Sequence, residues 1–253
     1  RYGGYYKQDE LKELVKYAKD KGIIIVPEID IPGHATALLS AYPEYAYSKA
    51  PTEVVTYWGV FDNVLANNER TLEFINRIFD ELMEVFDSKY IHIGGDEVSV
   101  AGYDSEYILL GVAQHLKSKG RTPIVWDEAY SVAAEVGGIV MVWRNMSIVL
   151  DMLKKGLPTI CASSTHFYFD HYQSADINNE PLAIGGYTDC DRVLSAAAEL
   201  GAIKIKAGTN ADKLIGVQAQ LWTEYIRNSE EADYMLYPRL EAFAQVAGRG
   251  AVV

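Results

Sequence analysis

Short apolar runs rich in β-branched residues alternate with one-sided helical patterns along nearly the whole chain, and this alternation restricts the fold more than any single motif does. From Gln8 to Lys21 the apolar residues Leu11, Leu14, Val15 and Ala18 fall on one helical face, and Gly22 follows as a stop. The run "IIIVPEID" comes next, too continuously apolar for a strand with one wet face and suited to a sheet covered on both. The pattern repeats: Thr71 to Asp87 places Leu72, Ile75, Phe79, Leu82 and Phe86 on one face before "YIHIGG", and Ser105 to Lys119 precedes "TPIVW". "GIVMVW" ends at Trp143, and a helix from Ser147 to Lys155 leads into "LPTICASS". "LIGVQAQLW" ends at Trp222, and a last helix runs from Asp233 to Ala247. Strands separated by helix-length segments are expected to be parallel, because a crossover has to carry the chain back before the next strand begins.

Two architectures satisfy that pattern, an open doubly wound sheet and a closed (β/α)8 TIM barrel. A doubly wound nucleotide site would carry a glycine-rich turn after its first strand, and no G-x-G-x-x-G or G-x-x-x-x-G-K stands here. We therefore expect an α/β (β/α)8 barrel spanning residues 1–253 as a single domain, with six strands and so without the first two βα units. The stretch from Thr165 to Ala211 is long for a connection and reads as a functional excursion. The 49% apolar content is enough for a substantial core, and no apolar run is long enough to span a membrane. A net charge of −12 without a basic cluster argues against nucleic acid and points to a neutral or cationic small molecule. Cys161 and Cys190 have no zinc-type spacing and are read as thiols.

In a barrel the active site lies at the C-terminal ends of the strands. Those ends carry Glu28, Asp30 and His34; Asp96 and Glu97; Trp126, Asp127 and Glu128; Trp143 and Arg144; Tyr168 and Asp170; and Trp222 with Glu224. A single Trp at a strand end is most often a core residue, but three of them, two close to a carboxylate, form a different pattern. Aromatic faces with acceptors between them suit a sugar, whose C–H faces stack on rings while its hydroxyls need partners. A catalytic metal is not expected: His34, His92 and His166 share no ligand spacing such as H-x-x-x-H. No cofactor is expected either.

The adjacent carboxylates Asp96 and Glu97 are the sharpest feature. Neighbours on a strand point to opposite faces, so both reach one site only where the strand ends, and Gly94 and Gly95 give the backbone freedom to bend there. Such neighbours cannot flank a glycosidic bond as an ordinary acid and nucleophile do. They suit substrate-assisted hydrolysis, in which a 2-acetamido oxygen attacks the anomeric carbon. Glu97 would then be the acid and base, and Asp96 would steer the acetamide and offset its positive charge.

The stretches "VPEIDIPGHATALLSAYPEY", "YIHIGGDEV", "IVWDEA", "VMVWR", "SSTHFYFD", "GVQAQLWTEY" and "YMLYPRLEAFAQVA", in this order, resemble the family 20 glycoside hydrolases, the β-N-acetylhexosaminidases. The resemblance implies an exo-acting, retaining enzyme that removes terminal N-acetylglucosamine or N-acetylgalactosamine from oligosaccharides or glycoconjugates. Asp96 and Glu97 are similar to its acetamide-orienting aspartate and its acid/base. His34 resembles the P-G-H histidine that supports the acid, and Tyr168 the tyrosine that holds the acetamide oxygen. Trp126, Trp143 and Trp222 resemble the walls around the sugar, and Asp170 and Glu224 the acceptors of its outer hydroxyls; Asp30 and Glu28 are read as supporting groups. The match covers barrel strands three to eight. The arginine of the family's first strand and the aspartate of its second, partner to the P-G-H histidine, have no counterpart here. The segments "YTDCDRVLSAAAELGAIKIKAG" and "QVAGRG" depart from the family pattern. A catalytically incomplete N-acetylhexosamine-binding homologue or fragment is the alternative expectation. The resemblance is compatible with an oligomer and with a secreted, periplasmic or lysosomal-type compartment.

Overall fold

The computed structural model describes residues 4–248, which form two compact units divided between Gly138 and Ile139. Positions 249 and 250 of "QVAGRG" lie outside the described residues.

In the first unit three parallel strands, β1 (Glu28–Ile31), β2 (Tyr90–Gly94) and β3 (Thr122–Trp126), pair in sequence order. Five helices accompany them: α1 (Gln8–Asp20), α2 (Thr36–Ala41), α3 (Glu69–Val85), α4 (Glu106–Ser118) and α5 (Tyr130–Val136). Helix α3 starts where the Asn68 side chain accepts from the Thr71 N–H at 3.0 Å, and it buries Thr71, Ile75, Phe79 and Val85 on the face its periodicity marks. It packs against α1 and α4, and α4 packs in turn on α5. Ile91 and Ile93 of β2 and Val125 of β3 are fully buried. That is the two-sided cover expected of parallel strands.

The first strand is shorter than its sequence led us to expect. "IIIVPEID" becomes a strand only over Glu28–Ile31, and Ile23 and Ile24 are 59% and 66% exposed. Among the described residues of this unit β1 pairs with β2 alone, so the run before it has no neighbouring strand to cover it. The register of that pair also slips. Glu28 lies opposite His92 and Ile31 opposite Gly94, so β1 spends one more residue than β2 over the same span. A bulge of this kind redirects side chains, and the one it redirects here is Asp30.

The second unit repeats the scheme with β4 (Ile139–Val142), β5 (Thr159–Cys161) and β6 (Leu214–Val217), again parallel and paired in order. Its helices are α6 (Met146–Lys154), α7 (Ser164–Phe167), α8 (Cys190–Ala207), α9 (Ser229–Leu236) and α10 (Arg239–Gly248). The expected last helix is thus two, separated at Tyr237 and Pro238, because proline cannot continue the hydrogen-bond ladder of the preceding helix. The strand expected to end at Trp222 stops at Val217, and pairing resumes only where Gln220 meets Tyr168. The region from Thr165 to Ala211 is not one excursion, since it contains α8, whose Asp189 cap accepts from the Arg192 N–H at 2.7 Å. Val193, Ala196, Leu200 and Ile203 are its buried residues, a helical spacing readable in the sequence and passed over there. Both cysteines are free thiols, and burial pushes that of Cys161 up to about 12. Among the described residues no helix is long and apolar enough to cross a membrane.

Candidate active site

In the first unit the ends of β1 and β2 bring Asp30, His34, Asp96 and Glu97 together. Gly94 and Gly95 have φ of +76° and +105°, values that side-chain-bearing residues rarely adopt, and they turn the chain sharply at the strand end. Glu97 itself has φ +54° and His34 +49°, the only two positive values at non-glycine positions among the described residues. Strain of this sort persists where the surroundings impose it, and it concentrates at functional sites. The result is that His34 Nε2 lies 3.3 Å from Glu97 Oε2 and 3.6 Å from Asp96 Oδ2. The imidazole therefore meets both carboxylates directly.

Asp30, redirected by the bulge, accepts from the Gly95 N–H at 3.1 Å. Burial, and then the negative charge of Asp96, push its carboxyl well above the usual range, and a hydrogen bond joins it to Asp96. For Asp96 burial acts upward, but hydrogen bonding from His34 and Asp30 outweighs it and holds this carboxyl below its ordinary value. Glu97 is shifted the other way, raised by burial and by the charge of Asp96. His34 is raised by hydrogen bonding to Asp96, against the effect of burial. Two adjacent carboxyls thus separate into a favoured anion and a favoured acid, the pattern that distinguishes an electrostatic role from a proton-donating one. Asp96 Oδ1 is buried with no hydrogen-bond donor among the described residues, which leaves acceptor capacity at this position.

Behind them, Glu28 Oε1 accepts from the Trp126 indole N–H at 3.1 Å and lies 3.2 Å from His92 Nδ1, whose ring packs on Trp126 at 4.6 Å. Trp126, expected as a wall of a sugar pocket, is 1% exposed. Asp30, His34 and Asp96 each offer a ligand atom within 4.8 Å of the others and are the donors a divalent ion would meet here. The upward displacement of the Asp30 carboxyl works against such binding, because a ligand must first lose its proton.

In the second unit the expected residues form a group of their own. Trp143 and Tyr168 stack with centroids 6.3 Å apart at 28°, and Tyr168 also meets His171 at 5.6 Å. Asp170 is buried, and burial together with the charge of Glu224 raises its carboxyl to about 7. Its Oδ1, like that of Asp96, has no donor among the described residues. Trp222 and Glu224 are exposed beyond β6.

Sequence reasoning overlooked Arg239. Its side chain is fully buried and donates to the backbone carbonyls of Met235 (3.1 Å), His171 (2.9 Å), Thr188 (2.9 Å) and Phe169 (2.5 Å), with the guanidinium 5.0 Å from the Phe169 ring centre. It ties down the backbone on both sides of Asp170. The residue lies within "YPRLEAF", but nothing local marks an arginine that binds only carbonyls.

A family model described as "Glycosyl hydrolase family 20, catalytic domain" matches residues 1–109 and 104–249. The chain belongs to glycosyl hydrolase family 20. Among curated relatives, the family 20 chain is 32% identical to a "Beta-hexosaminidase" of Porphyromonas gingivalis over 97% of its own length and 34% of the relative's. It is 31% identical to a "Beta-N-acetylhexosaminidase" of Cellulomonas fimi over 97% and 49%. Among solved structures, the Streptomyces plicatus N-acetyl-β-hexosaminidase in complex with Thio-NAglucal superposes with a TM-score of 0.82 at 28% identity, covering 98% of this chain and 50% of that one. The fold is accordingly α/β and part of a (β/α)8 barrel. The chain spans from a third to about half the length of these relatives.

Proposed function

We propose that this family 20 chain acts as an exo-β-N-acetylhexosaminidase on terminal N-acetylglucosamine or N-acetylgalactosamine of neutral glycans. The observation that carries the reading is the placement of the adjacent Asp96 and Glu97 carboxyls on one imidazole, 3.6 Å and 3.3 Å from His34 Nε2, and the opposite directions in which their surroundings displace them agree with it. In the first step the acetamide carbonyl oxygen attacks the anomeric carbon, the glycosidic C–O bond breaks, and the Glu97 proton passes to the departing oxygen. Asp96, held ionised, accepts from the acetamide N–H and offsets the charge of the oxazolinium. In the second step Glu97, now a carboxylate, takes a proton from water as the water oxygen opens the ring, giving retention. Asp30 supports Asp96 through the hydrogen bond between their carboxyls. In the second unit, Tyr168, stacked on Trp143, and the Asp170–Glu224 pair are assigned to holding the sugar, with Trp222 as a further aromatic face.

The test is release of p-nitrophenol from its N-acetyl-β-glucosaminide by this chain, with the plain β-glucoside and the Glu97→Gln variant as controls. Hydrolysis of the N-acetyl compound alone, lost in the variant, supports the reading. Among the described residues β1 pairs with β2, and no other strand is recorded against it within the first unit; this and the exposure of Ile23 and Ile24 favour a second reading, a chain that recognises the sugar without turning it over. Saturable binding of N-acetylglucosamine by folded protein that releases no p-nitrophenol would select it.

A further inference from the structure

A cavity of about 660 Å³ opens in the second unit between α7, the loop after it and the first turns of α8. Small-molecule sites span roughly 300–1,000 Å³, so a sugar or two would be accommodated. Ser164, Thr165, Tyr187, Asp191, Arg192 and Ser195 line it, and none of them takes part in the chemistry proposed above.

The walls are already fixed. The Tyr187 hydroxyl donates to Asp189 Oδ2 at 2.6 Å, which anchors a ring that remains 49% exposed. Arg192 Nε donates to the Thr165 carbonyl at 2.9 Å, which leaves the far edge of its planar guanidinium, with both terminal nitrogens, as donors. His171 closes another side: its Nδ1 lies 3.1 Å from Thr188 Oγ1, and a Cβ at Gly186 would come within 2.6 Å of its ring. Arg239 holds the carbonyls of His171 and Thr188 at 2.9 Å each, so the loop forming this wall is tied to the core.

The lining discriminates between ligand classes. Asp189 and Asp191 disfavour an anion, Arg192 disfavours a cation, and an apolar ligand would cover the Asp191 carboxylate and the terminal nitrogens of Arg192 without partnering them. What remains is a neutral polyol with an apolar face: its hydroxyls would accept from Arg192 and donate to Asp191, while its C–H face covers Tyr187. We propose that this cavity is a second saccharide-binding site, which holds a sugar of the glycan other than the one cleaved. The choice of saccharide rests on the proposed action on glycans.

The experiment follows backbone amides by NMR while N,N′-diacetylchitobiose is titrated into the Glu97→Gln chain, which does not consume it. The expected result is saturable shifts at Thr165, Tyr187 and Arg192, lost both in Arg192→Ala and in Ser195→Trp, the second of which fills the cavity and spares the Asp189 cap. In chains retaining Glu97, the same two substitutions should leave p-nitrophenol release from the one-sugar substrate unchanged. Shifts near Gly95 and Val98 with silence at the cavity would overturn the second site and leave the catalytic reading standing. Shifts at the cavity alone would do the reverse. Cavity shifts that persist in both variants, or silence everywhere, would also overturn the second site.

Discussion

At the residue scale, Asp96 and Glu97 owe their different roles to surroundings rather than to chemical type. Replacing Glu97 with Gln removes the proton donor and is expected to lower kcat on substrates with poor leaving groups by about 10²–10⁴-fold, the usual worth of general acid catalysis. Asp96→Asn keeps the shape and loses the charge; a fall of roughly 10²–10³ in kcat on an aryl N-acetylglucosaminide is expected, as for loss of one preorganised electrostatic contact. A loss within about twofold, less than one pKa unit of free energy, would remove Asp96 from the mechanism. Asp170 carries a different prediction. Its carboxyl titrates near 7 in the folded chain, far above its unfolded value, so the folded state binds more protons between the two. Stability therefore falls as pH rises through that window and levels off above it, by about 4 kcal/mol at most. Asp170→Asn should flatten this dependence and raise the melting temperature at pH 8 relative to the parent, while weakening substrate binding. An unchanged difference between pH 5 and pH 8 would show that Asp170 ionises freely in the fold.

At the scale of elements, the end of β2 in the first unit and the start of α10 in the second each fix the backbone of their own unit, by unlike means. Gly94 is needed twice, for its φ of +76° and because a Cβ there would overlap the Asp30 carboxyl. Gly94→Ala should cost about 3 kcal/mol or more in urea unfolding, combining left-handed backbone strain with displacement of Asp30 from Asp96. The milder clash at Gly95, 2.7 Å from Ala129 Cβ, predicts a smaller loss. At the other element, Arg239→Met would leave four backbone carbonyls with a donor removed inside the protein. A loss of roughly 3–5 kcal/mol is expected, and Arg239→Lys should recover only part of it because an ammonium cannot span the same fork. Equal stability of the Met and Lys variants would show that packing, not hydrogen bonding, is what Arg239 contributes. Burial lowers the Arg239 pKa only to about 10, so the guanidinium remains charged at neutral pH.

At the scale of the whole molecule, 23 basic against 35 acidic residues leave a net charge of −12. That field repels anionic substrates over distances salt can screen: the Debye length falls from about 30 Å at 0.01 M to about 8 Å at physiological ionic strength. The kcat/KM for a 6-sulfated aryl N-acetylglucosaminide should rise several-fold across this range, while that of the neutral compound stays flat. An identical response of both would show that the net charge does not act at the site. Much at this scale was legible from the sequence. The alternation of β-branched runs with helical faces implied parallel strands with crossovers, and the doubled glycine before Asp96 and Glu97 marked a strand end, because periodicity and glycine freedom are properties of consecutive residues. Helix α8 was equally legible in the spacing of Val193, Ala196, Leu200 and Ile203, and the Gly- and Asn-rich piece before it is what made the whole stretch read as an excursion. Tertiary structure alone decided the rest: the bulge that brings Asp30 to Asp96, the burial of Trp126 against His92, the carbonyl clamp of Arg239, and the direction in which each carboxyl is displaced. These depend on desolvation and on charges brought close from distant parts of the chain, and neither is a property of neighbouring residues.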